Sequence, residues 1–305
     1  MKTFVYPLLV ASVLVVSCTS ENKNSSNSTI QIVTTTGMIR DAVANVVGSE
    51  ANVVALIGPG VDPHLYKASQ GDLEKLSSAD IIFYNGLHLE GKMGEVLEKL
   101  AAIKPVVPVG EGIPDSLLRT VPGFAGAHDP HIWFDVSLWK HAVESAEEFL
   151  SAKYPALSEN FKSRSAAYQL KLDSLHASVV TQISQIPEAG RVLVTAHDAF
   201  GYFGDAYNIE VKGLQGISTV SEFGLRDITA LVNFITTRKI KAVFIESSVS
   251  PRSIEAVVEG CRKKGWDVSI GGSLYSDAMG AEGTPEGTYI GMVNANVQTI
   301  VKGLR

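Results

Sequence analysis

Three histidines and one aspartate lie where extended, apolar stretches of the sequence give way to loops. His64 and His131 each close an Asp-Pro-His triplet, His197 directly follows an apolar run, and Asp277 lies in the loop after another. Imidazole nitrogen and carboxylate oxygen are ligands that suit Zn²⁺, and acceptably Mn²⁺ or Fe²⁺. Because two of these side chains come from each half of the chain, the sequence predicts a four-ligand metal site that joins the halves.

A simpler interpretation exists for each of these residues taken alone. A single histidine or aspartate at a strand end is more often a hydrogen-bonded loop residue than a ligand, and an Asp-Pro-His triplet can be turn chemistry with the histidine incidental. The triplet occurs twice, however, at 62–64 and 129–131, and all four side chains share a position at predicted strand ends. The combination therefore favours the metal site.

Three further carboxylates are candidates for holding the ligand imidazoles in place. A neutral imidazole that binds a metal needs an acceptor for its second nitrogen, and Asp62, Asp129 and Glu246 are close enough in sequence or at a suitable strand end. Glu246 also has the position of a ligand, but a fifth protein group would crowd a tetrahedral ion. We therefore expect Glu246 to support the site from outside the coordination sphere and only secondarily to bind the ion.

The remaining histidines are weaker candidates. His128 forms a His-x-x-His pair with His131, but the proline between them indicates a loop, so we expect His128 to face solvent, with a role in metal entry as the alternative. His88 follows a predicted strand and is the reserve ligand. His141 and His176 lie in polar helical stretches and are interpreted as surface residues.

Short β-branched runs alternate with helical patterns along most of the chain, which predicts an α/β fold with mainly parallel sheets. The predicted strands are 30–35, 53–57, 80–84, 105–109, 191–196, 209–212, 241–245 and 267–270. Folds of this class bind small molecules and ions at the carboxyl ends of the strands. The four residues that are candidates to coordinate the metal lie at these ends.

A long helical pattern at 158–186 contains neither Gly nor Pro and stops at Pro187. We interpret it as one linking helix between an N-terminal lobe at 30–157 and a C-terminal lobe at 187–305, with the metal site in the cleft between them. Because a continuous helix resists bending, we expect metal binding and release to involve a small, local opening.

The first residues have the features of an export signal. Lys2 precedes the apolar run 4–16, which is too short to span a membrane, and the residues up to Cys18 resemble a lipoprotein cleavage site. We predict a signal peptide at 1–17, lipidation of Cys18 and a flexible tether at 18–29. The alternative is an ordinary signal with Cys18 as an incidental thiol.

Composition limits the class of partner. The chain has 45% hydrophobic residues, two cysteines and a net charge of −6, without clusters of Lys or Arg. These features argue against nucleic acid and against an anionic membrane surface as binding partners, and they indicate a core that needs no internal disulfide. We expect a monomer attached to a bacterial membrane only through its lipid.

Five ordered motifs resemble the TroA-like family, the metal-binding lipoproteins of bacterial ABC importers for zinc and manganese. They are VDPH at 61–64, DPHIWFD at 129–135, TAHDAFGYF at 195–203, FIESS at 244–248 and GGSLYSD at 271–277. The resemblance covers essentially the whole mature chain. It implies the ligand set His64, His131, His197 and Asp277, an extracytoplasmic location, and delivery of the ion to a permease and its ATPase subunits.

The resemblance also bears on the choice of metal. Members specialised for manganese often have a glutamate at the position of His197, so the histidine favours zinc as the cargo. The stretch 114–127 lacks the histidines found in the long loop of many dedicated zinc carriers, which weakens this preference. Affinity order favours zinc over manganese at most sites, so we expect zinc, with Mn²⁺ or Fe²⁺ as alternatives.

Two other functions compete with metal transport. A zinc-dependent hydrolase would use a similar set of residues, but catalysis needs an open coordination position, and the sequence has no His-Glu-x-x-His or Gly-x-Ser-x-Gly motif. A surface adhesin or interaction lipoprotein is compatible with the lipid anchor but leaves the ligand set unexplained. We therefore predict a carrier and not an enzyme.

Overall fold

The structure is a computed structural model that describes residues 1–3, 29–121 and 126–305. The predicted signal peptide beyond residue 3, the lipidation site Cys18 and the tether up to residue 28 lie outside the described residues. None of the helices in the described ranges combines the length and the apolar character that crossing a bilayer requires.

Parallel strands form the framework of both halves, as the alternating pattern predicted. The strands are β1 (Ile30–Thr34), β2 (Ala51–Ala55), β3 (Ile81–Tyr84), β4 (Val106–Pro108), β5 (Val192–His197), β6 (Glu210–Gln215), β7 (Ala242–Glu246) and β8 (Ser269–Leu274). Each predicted strand overlaps one of them. The differences are confined to the ends, where hydrogen bonding with a neighbour decides the boundary.

The N-terminal half contains one four-stranded sheet in the order β2-β1-β3-β4, and all its pairs are parallel. The central strands β1 and β3 carry continuous buried runs such as Ile81 to Phe83, as expected for strands covered on both faces. In the C-terminal half, β5 pairs with β6 and β7 with β8, again in parallel, and β5 lies beside β7. The carboxyl ends of both strand groups are thus available for one site.

Helices cover the sheets and connect the strands. They are α1 (Gly37–Val47), α2 (Gln70–Ser78), α3 (Gly94–Ala101), α4 (Val136–Lys153), α5 (Ser158–Ile183), α6 (Gly201–Tyr207), α7 (Leu225–Arg238), α8 (Arg252–Lys263) and α9 (Tyr289–Leu304). The predicted linking helix is therefore present, but α5 ends at Ile183. Residues 184–186 form a turn before Pro187, which cannot continue a helix.

The long helix α5 packs against helices of both halves. It contacts α1 and α4 from the N-terminal half and α9 from the C-terminal half. Its buried face includes Phe161, Tyr168 and Leu172, and these residues belong to one hydrophobic cluster that extends through both halves. Leu170 is 69% exposed, because the buried stripe passes through Tyr168 instead. The two halves therefore share a core along α5.

Candidate metal centre

Four buried side chains from both halves meet at the carboxyl ends of the strands. His197 is the last residue of β5, and Asp277 lies shortly beyond the end of β8. His64 is in the loop after β2, and His131 directly precedes a short 3₁₀ turn, Ile132–Phe134. None of the four side chains is more than 2% exposed. The fold thus brings together the four residues that the sequence marked as candidate ligands.

The potential ligand atoms, one nitrogen from each histidine and the two oxygens of Asp277, lie close enough together to surround a single ion. Nε2 of His64 lies 3.3 Å from Nε2 of His131, which is 3.5 Å from Oδ1 of Asp277. Nε2 of His197 lies 3.2 Å from Oδ2 of Asp277, and Nε2 of His64 lies 3.9 Å from the same oxygen. An ion about 2.0–2.2 Å from each ligand of a tetrahedron needs ligand atoms roughly 3.3–3.6 Å apart. A zinc-sized ion therefore fits with only small adjustments.

Unpartnered polar atoms point to the same conclusion. Although Nε2 of His197 is close to Asp277, neither this nitrogen nor either carboxylate oxygen of Asp277 has a hydrogen-bond partner among the described residues. Leaving such buried atoms without a partner costs free energy, on the order of 1–3 kcal/mol for each group and more for a charged one. A bound cation would satisfy all three atoms at once.

Two of the three candidate acceptors contact a ligand imidazole. Asp129 Oδ1 lies 2.7 Å from Nδ1 of His131 and accepts a hydrogen bond from the His131 backbone N–H at 3.0 Å. Glu246 Oε2 lies 2.6 Å from Nδ1 of His197, and its Oε1 accepts from the His197 backbone N–H at 2.9 Å. A carboxylate at Nδ1 selects the tautomer whose Nε2 lone pair faces the centre. Each ring is therefore oriented for metal binding.

The third candidate acceptor behaves differently. Oδ1 of Asp62 accepts a hydrogen bond from the backbone N–H of His64 at 2.8 Å, and Oδ2 accepts from the hydroxyl of Thr219 at 2.6 Å. The expectation that Asp62 contacts the imidazole is therefore wrong. Its two oxygens are engaged instead by the backbone of His64 and by Thr219 from the opposite half.

Asp129 is itself held from the other side. Nε of Arg119 lies 3.6 Å from Asp129 Oδ2, and the hydroxyl of Tyr202 donates to the Asp129 carbonyl at 3.0 Å. A Cβ atom at Gly201 would lie 2.6 Å from the Arg119 Nε and 2.9 Å from Asp129 Oδ2, so a larger residue there would displace this pair. The glycine of the third motif therefore leaves room for the support of His131.

Burial and the carboxylates give the ligands different protonation behaviour. Burial lowers the pKa of His64 to about 4, because the charged ring would lose its hydration. Burial opposes charge on His197 as well, but Asp277 and Glu246 outweigh it and raise the pKa of His197 well above its ordinary value. Burial would also raise the pKa of Asp277, yet the histidines, His197 foremost, hold it below the ordinary range.

The other four histidines lie outside this cluster. His128 pairs with Thr120 in an isolated antiparallel bridge and its ring is 3.9 Å from Asp115. His88 and His128 both line the cleft cavity, a space of about 620 Å³ that also borders His64. Two histidines lie on helices and pair there with neighbouring side chains, namely His141 with Glu144 and His176 with Ser137. Both of these histidines are partly exposed.

Two residues that support the site were missed by sequence reasoning. Glu90 is buried and accepts hydrogen bonds from the hydroxyl of Thr35 and the backbone N–H of Asn85, both at 2.7 Å. Asn85 in turn donates its side-chain amide to the carbonyl of Pro130 at 2.9 Å, directly before His131. The position of Asn85 directly after β3, at a strand end like the candidate ligands, could have indicated a role in the site. Its contact with Pro130 could not have been predicted, because the two residues are far apart in sequence.

Comparison with known proteins gives consistent matches over most of the chain. Residues 32–303 match the family model described as zinc-uptake complex component A, periplasmic. The manganese-binding lipoprotein MntA of Bacillus subtilis (strain 168) is 49% identical over 300 residues, which cover 98% of this chain and 97% of that protein. The zinc-binding protein TroA of Treponema pallidum (strain Nichols) is 50% identical over 273 residues, covering 90% and 88%.

The fold matches as well as the sequence. The solved structure of the periplasmic zinc-binding protein TroA from Treponema pallidum superimposes with a TM-score of 0.88 at 50% identity, covering 90% of this chain and 99% of that one. The family model spans both halves of the chain and all four residues of the cluster. The resemblance predicted from the five motifs is confirmed, and the chain belongs to the zinc-uptake complex component A family of periplasmic, TroA-like metal-binding proteins.

Proposed function

We propose that this protein captures one divalent transition metal ion and delivers it to the permease of an ABC importer, with zinc as the favoured cargo and manganese or iron as alternatives. The proposed ligands are His64, His131, His197 and Asp277, and Glu246 supports His197 from outside the coordination sphere. The observation that carries this proposal is the set of distances of 3.2–3.9 Å between the ligand atoms, which suit one ion.

A carrier accounts for the site better than a hydrolase. Catalytic zinc keeps an open position for water or substrate, whereas a closed shell of four protein ligands is typical of sites that only hold the ion. All four side chains here are buried. Both relatives with the highest identity quoted above are named for metal binding, and neither name describes an enzyme.

Zinc is favoured by the chemistry of the donors. Three imidazole nitrogens and one carboxylate suit zinc, and the affinity order places zinc above manganese and iron(II) at such sites. The relatives leave both options open, since one is named as manganese-binding at 49% identity and the other as zinc-binding at 50%. Both oxygens of Asp277 face the histidines, so binding through both would raise the coordination number in favour of manganese.

We infer that the protein works outside the cytoplasm, attached through lipidated Cys18 and the tether at 18–29, after removal of 1–17. The name of the Bacillus relative, a lipoprotein, supports this arrangement. The lobes would comprise 30–157 and 187–305, joined by 158–186, and a monomer would present its cleft to the permease and its ATPase subunits.

Elemental analysis tests the central claim. Protein that begins after Cys18 and is purified without chelator should contain about one zinc ion per chain. Emptying the site and offering zinc and manganese together then identifies the preferred cargo. As a matched control, His176→Ala removes a helical histidine outside the cluster and should keep the full metal content, whereas Asp277→Ala should reduce it. Wild-type protein without stable metal under all these conditions would refute the proposal.

A further inference from the structure

One carboxylate connects a ligand-bearing loop of the N-terminal half to the C-terminal half. Asp62 accepts a hydrogen bond from the backbone N–H of His64 through Oδ1 at 2.8 Å and one from the Thr219 hydroxyl through Oδ2 at 2.6 Å. Thr219 and Asp62 are 157 residues apart in the chain. We call the hydrogen bond between Thr219 and Asp62 the latch. It is a direct polar contact between the loop that carries His64 and the opposite half.

His64 depends on this loop more than the other two histidines depend on theirs. Nδ1 of His131 and Nδ1 of His197 each contact a carboxylate, whereas no hydrogen bond to Nδ1 of His64 is formed by any residue in the described ranges. The loop at 58–66 lies beyond β2 and has no regular secondary structure. The position of the His64 ring is therefore set by its backbone, and Asp62 holds that backbone.

The other end of the latch is anchored firmly. Gln215, the last residue of β6, pairs in register with His197 of β5. Its side-chain amide donates to the carbonyl of Thr219 at 2.7 Å and also to that of Ser221. A continuous path of strand pairing and hydrogen bonds thus leads from His197, through Gln215, Thr219 and Asp62, to His64. Two ligands from opposite halves are held at a fixed separation by this path.

There is space for His64 to leave the site once the latch opens. The cleft cavity of about 620 Å³ is lined by His64 together with Ser218 and Val220, the neighbours of Thr219. His131 and His197 are fully buried and do not border this cavity. An outward movement of the 58–66 loop would therefore remove one ligand and leave three.

We infer that Thr219 is a positioning residue that holds His64 in the metal site through Asp62, and that opening of the latch sets the rate at which the ion is released. This inference rests on the proposed function, because it assigns a role to a residue around the same site. It predicts that His64 is the first ligand to dissociate. The ion then remains bound to His131, His197 and Asp277 until it is transferred.

The test is the rate of zinc loss from the purified, zinc-loaded protein after addition of excess chelator. Thr219→Val removes the hydroxyl with little change of shape and should accelerate release about tenfold, the lower end of the effect of removing a group that orients a ligand. Thr219→Ser keeps a hydroxyl and should release zinc near the wild-type rate. Ser221→Ala, on the same loop, is the matched control, since its hydroxyl forms no hydrogen bond within the described ranges and its loss should change nothing.

Further measurements separate positioning from general damage. The melting temperature of metal-free Thr219→Val should equal that of the wild type, and Thr219→Val should have no additional effect on release in an Asp62→Ala background. Thr219→Ala provides a second hydroxyl-free variant if the valine variant does not fold. Release from both hydroxyl-free variants at the wild-type rate, or equal acceleration in Ser221→Ala, would overturn the inference. Wild-type protein that binds none of zinc, manganese and iron would instead refute the proposed function itself.

Discussion

His197 and His64 reach the same centre from opposite halves of the molecule, under different constraints. His197 is the last residue of a buried strand, and Glu246 holds both its backbone N–H and its ring. His64 lies in a loop that borders the cleft cavity, and Asp62 holds its backbone N–H, while no carboxylate in the described part of the chain holds its Nδ1. A site built in this way can combine tight binding with release. We expect the strand-borne histidine to keep a fixed position and the loop-borne histidine to move when the ion is released.

The surroundings of the two histidines also shift their pKa values in opposite directions. Burial lowers the pKa of His64 to about 4, so its ring is neutral and ready to bind at neutral pH. For His197, burial is outweighed by Asp277 and Glu246, which raise the pKa well above the ordinary value. His64 therefore faces the centre as a neutral ring, whereas His197 lies between two carboxylates.

Removal of individual ligands tests the comparison most severely. His197→Ala and Asp277→Ala should weaken zinc binding on the order of several hundredfold, because a binding free energy of roughly 10–16 kcal/mol is shared among four ligands. His64→Ala should cost less, since water from the cleft can replace its ring. Dissociation constants from competition with a chromophoric chelator measure these losses. Equal losses for His64→Ala and His197→Ala would break the comparison.

The support of His197 by Glu246 gives the next largest effect. In Glu246→Gln, one of the two side-chain atoms becomes a donor, so the residue can no longer accept both hydrogen bonds from His197. Affinity should fall about 10- to 100-fold, as is typical for groups that orient a ligand histidine. The same titration on Glu255→Gln, an exposed residue of α8, is the control. An unchanged affinity in Glu246→Gln would show that the strand alone positions His197.

Proton release provides a smaller effect that still distinguishes the two histidines. A histidine must lose its proton to bind the ion. Where its pKa is raised in the metal-free protein, the proton competes with the metal at neutral pH, so metal affinity should fall on acidification. This applies to His197 and not to His64, whose pKa is lowered. Calorimetry in buffers of different ionisation enthalpy should detect release of about one proton at neutral pH. Release of none would contradict the assignment.

The smallest expected effect concerns the overall shape. The two halves share a hydrophobic cluster along the continuous helix α5, so release should involve the loop at 58–66 and not a wide opening of the lobes. Solution scattering of metal-free and zinc-loaded protein should give nearly identical radii of gyration. A large change on metal removal would show that the shared core does not restrain the lobes.

Much of the framework was predictable because it follows from local patterns. Continuous apolar runs such as Ile81 to Phe83 indicate buried parallel strands, and the long interval without Gly or Pro indicates α5. The exact face of α5 was less predictable. Leu170 fits the apolar pattern but faces solvent, while Tyr168 is buried because Asp41 accepts its hydroxyl hydrogen bond at 2.7 Å. That pairing depends on residues distant in sequence.

The same distinction divides the metal site. The sequence by itself determined the four candidate ligands and their positions at strand ends. It did not decide which aspartate of the two Asp-Pro-His triplets reaches its ring, since Asp129 contacts the ring of His131 whereas Asp62 contacts the backbone of His64. Only the tertiary structure decided that Glu246 holds His197, that Asn85 holds Pro130 and that Thr219 holds Asp62. Each of these pairs joins separate segments of the chain. Their contact depends on how parallel strands and packed helices bring distant residues together, which local sequence preferences do not encode.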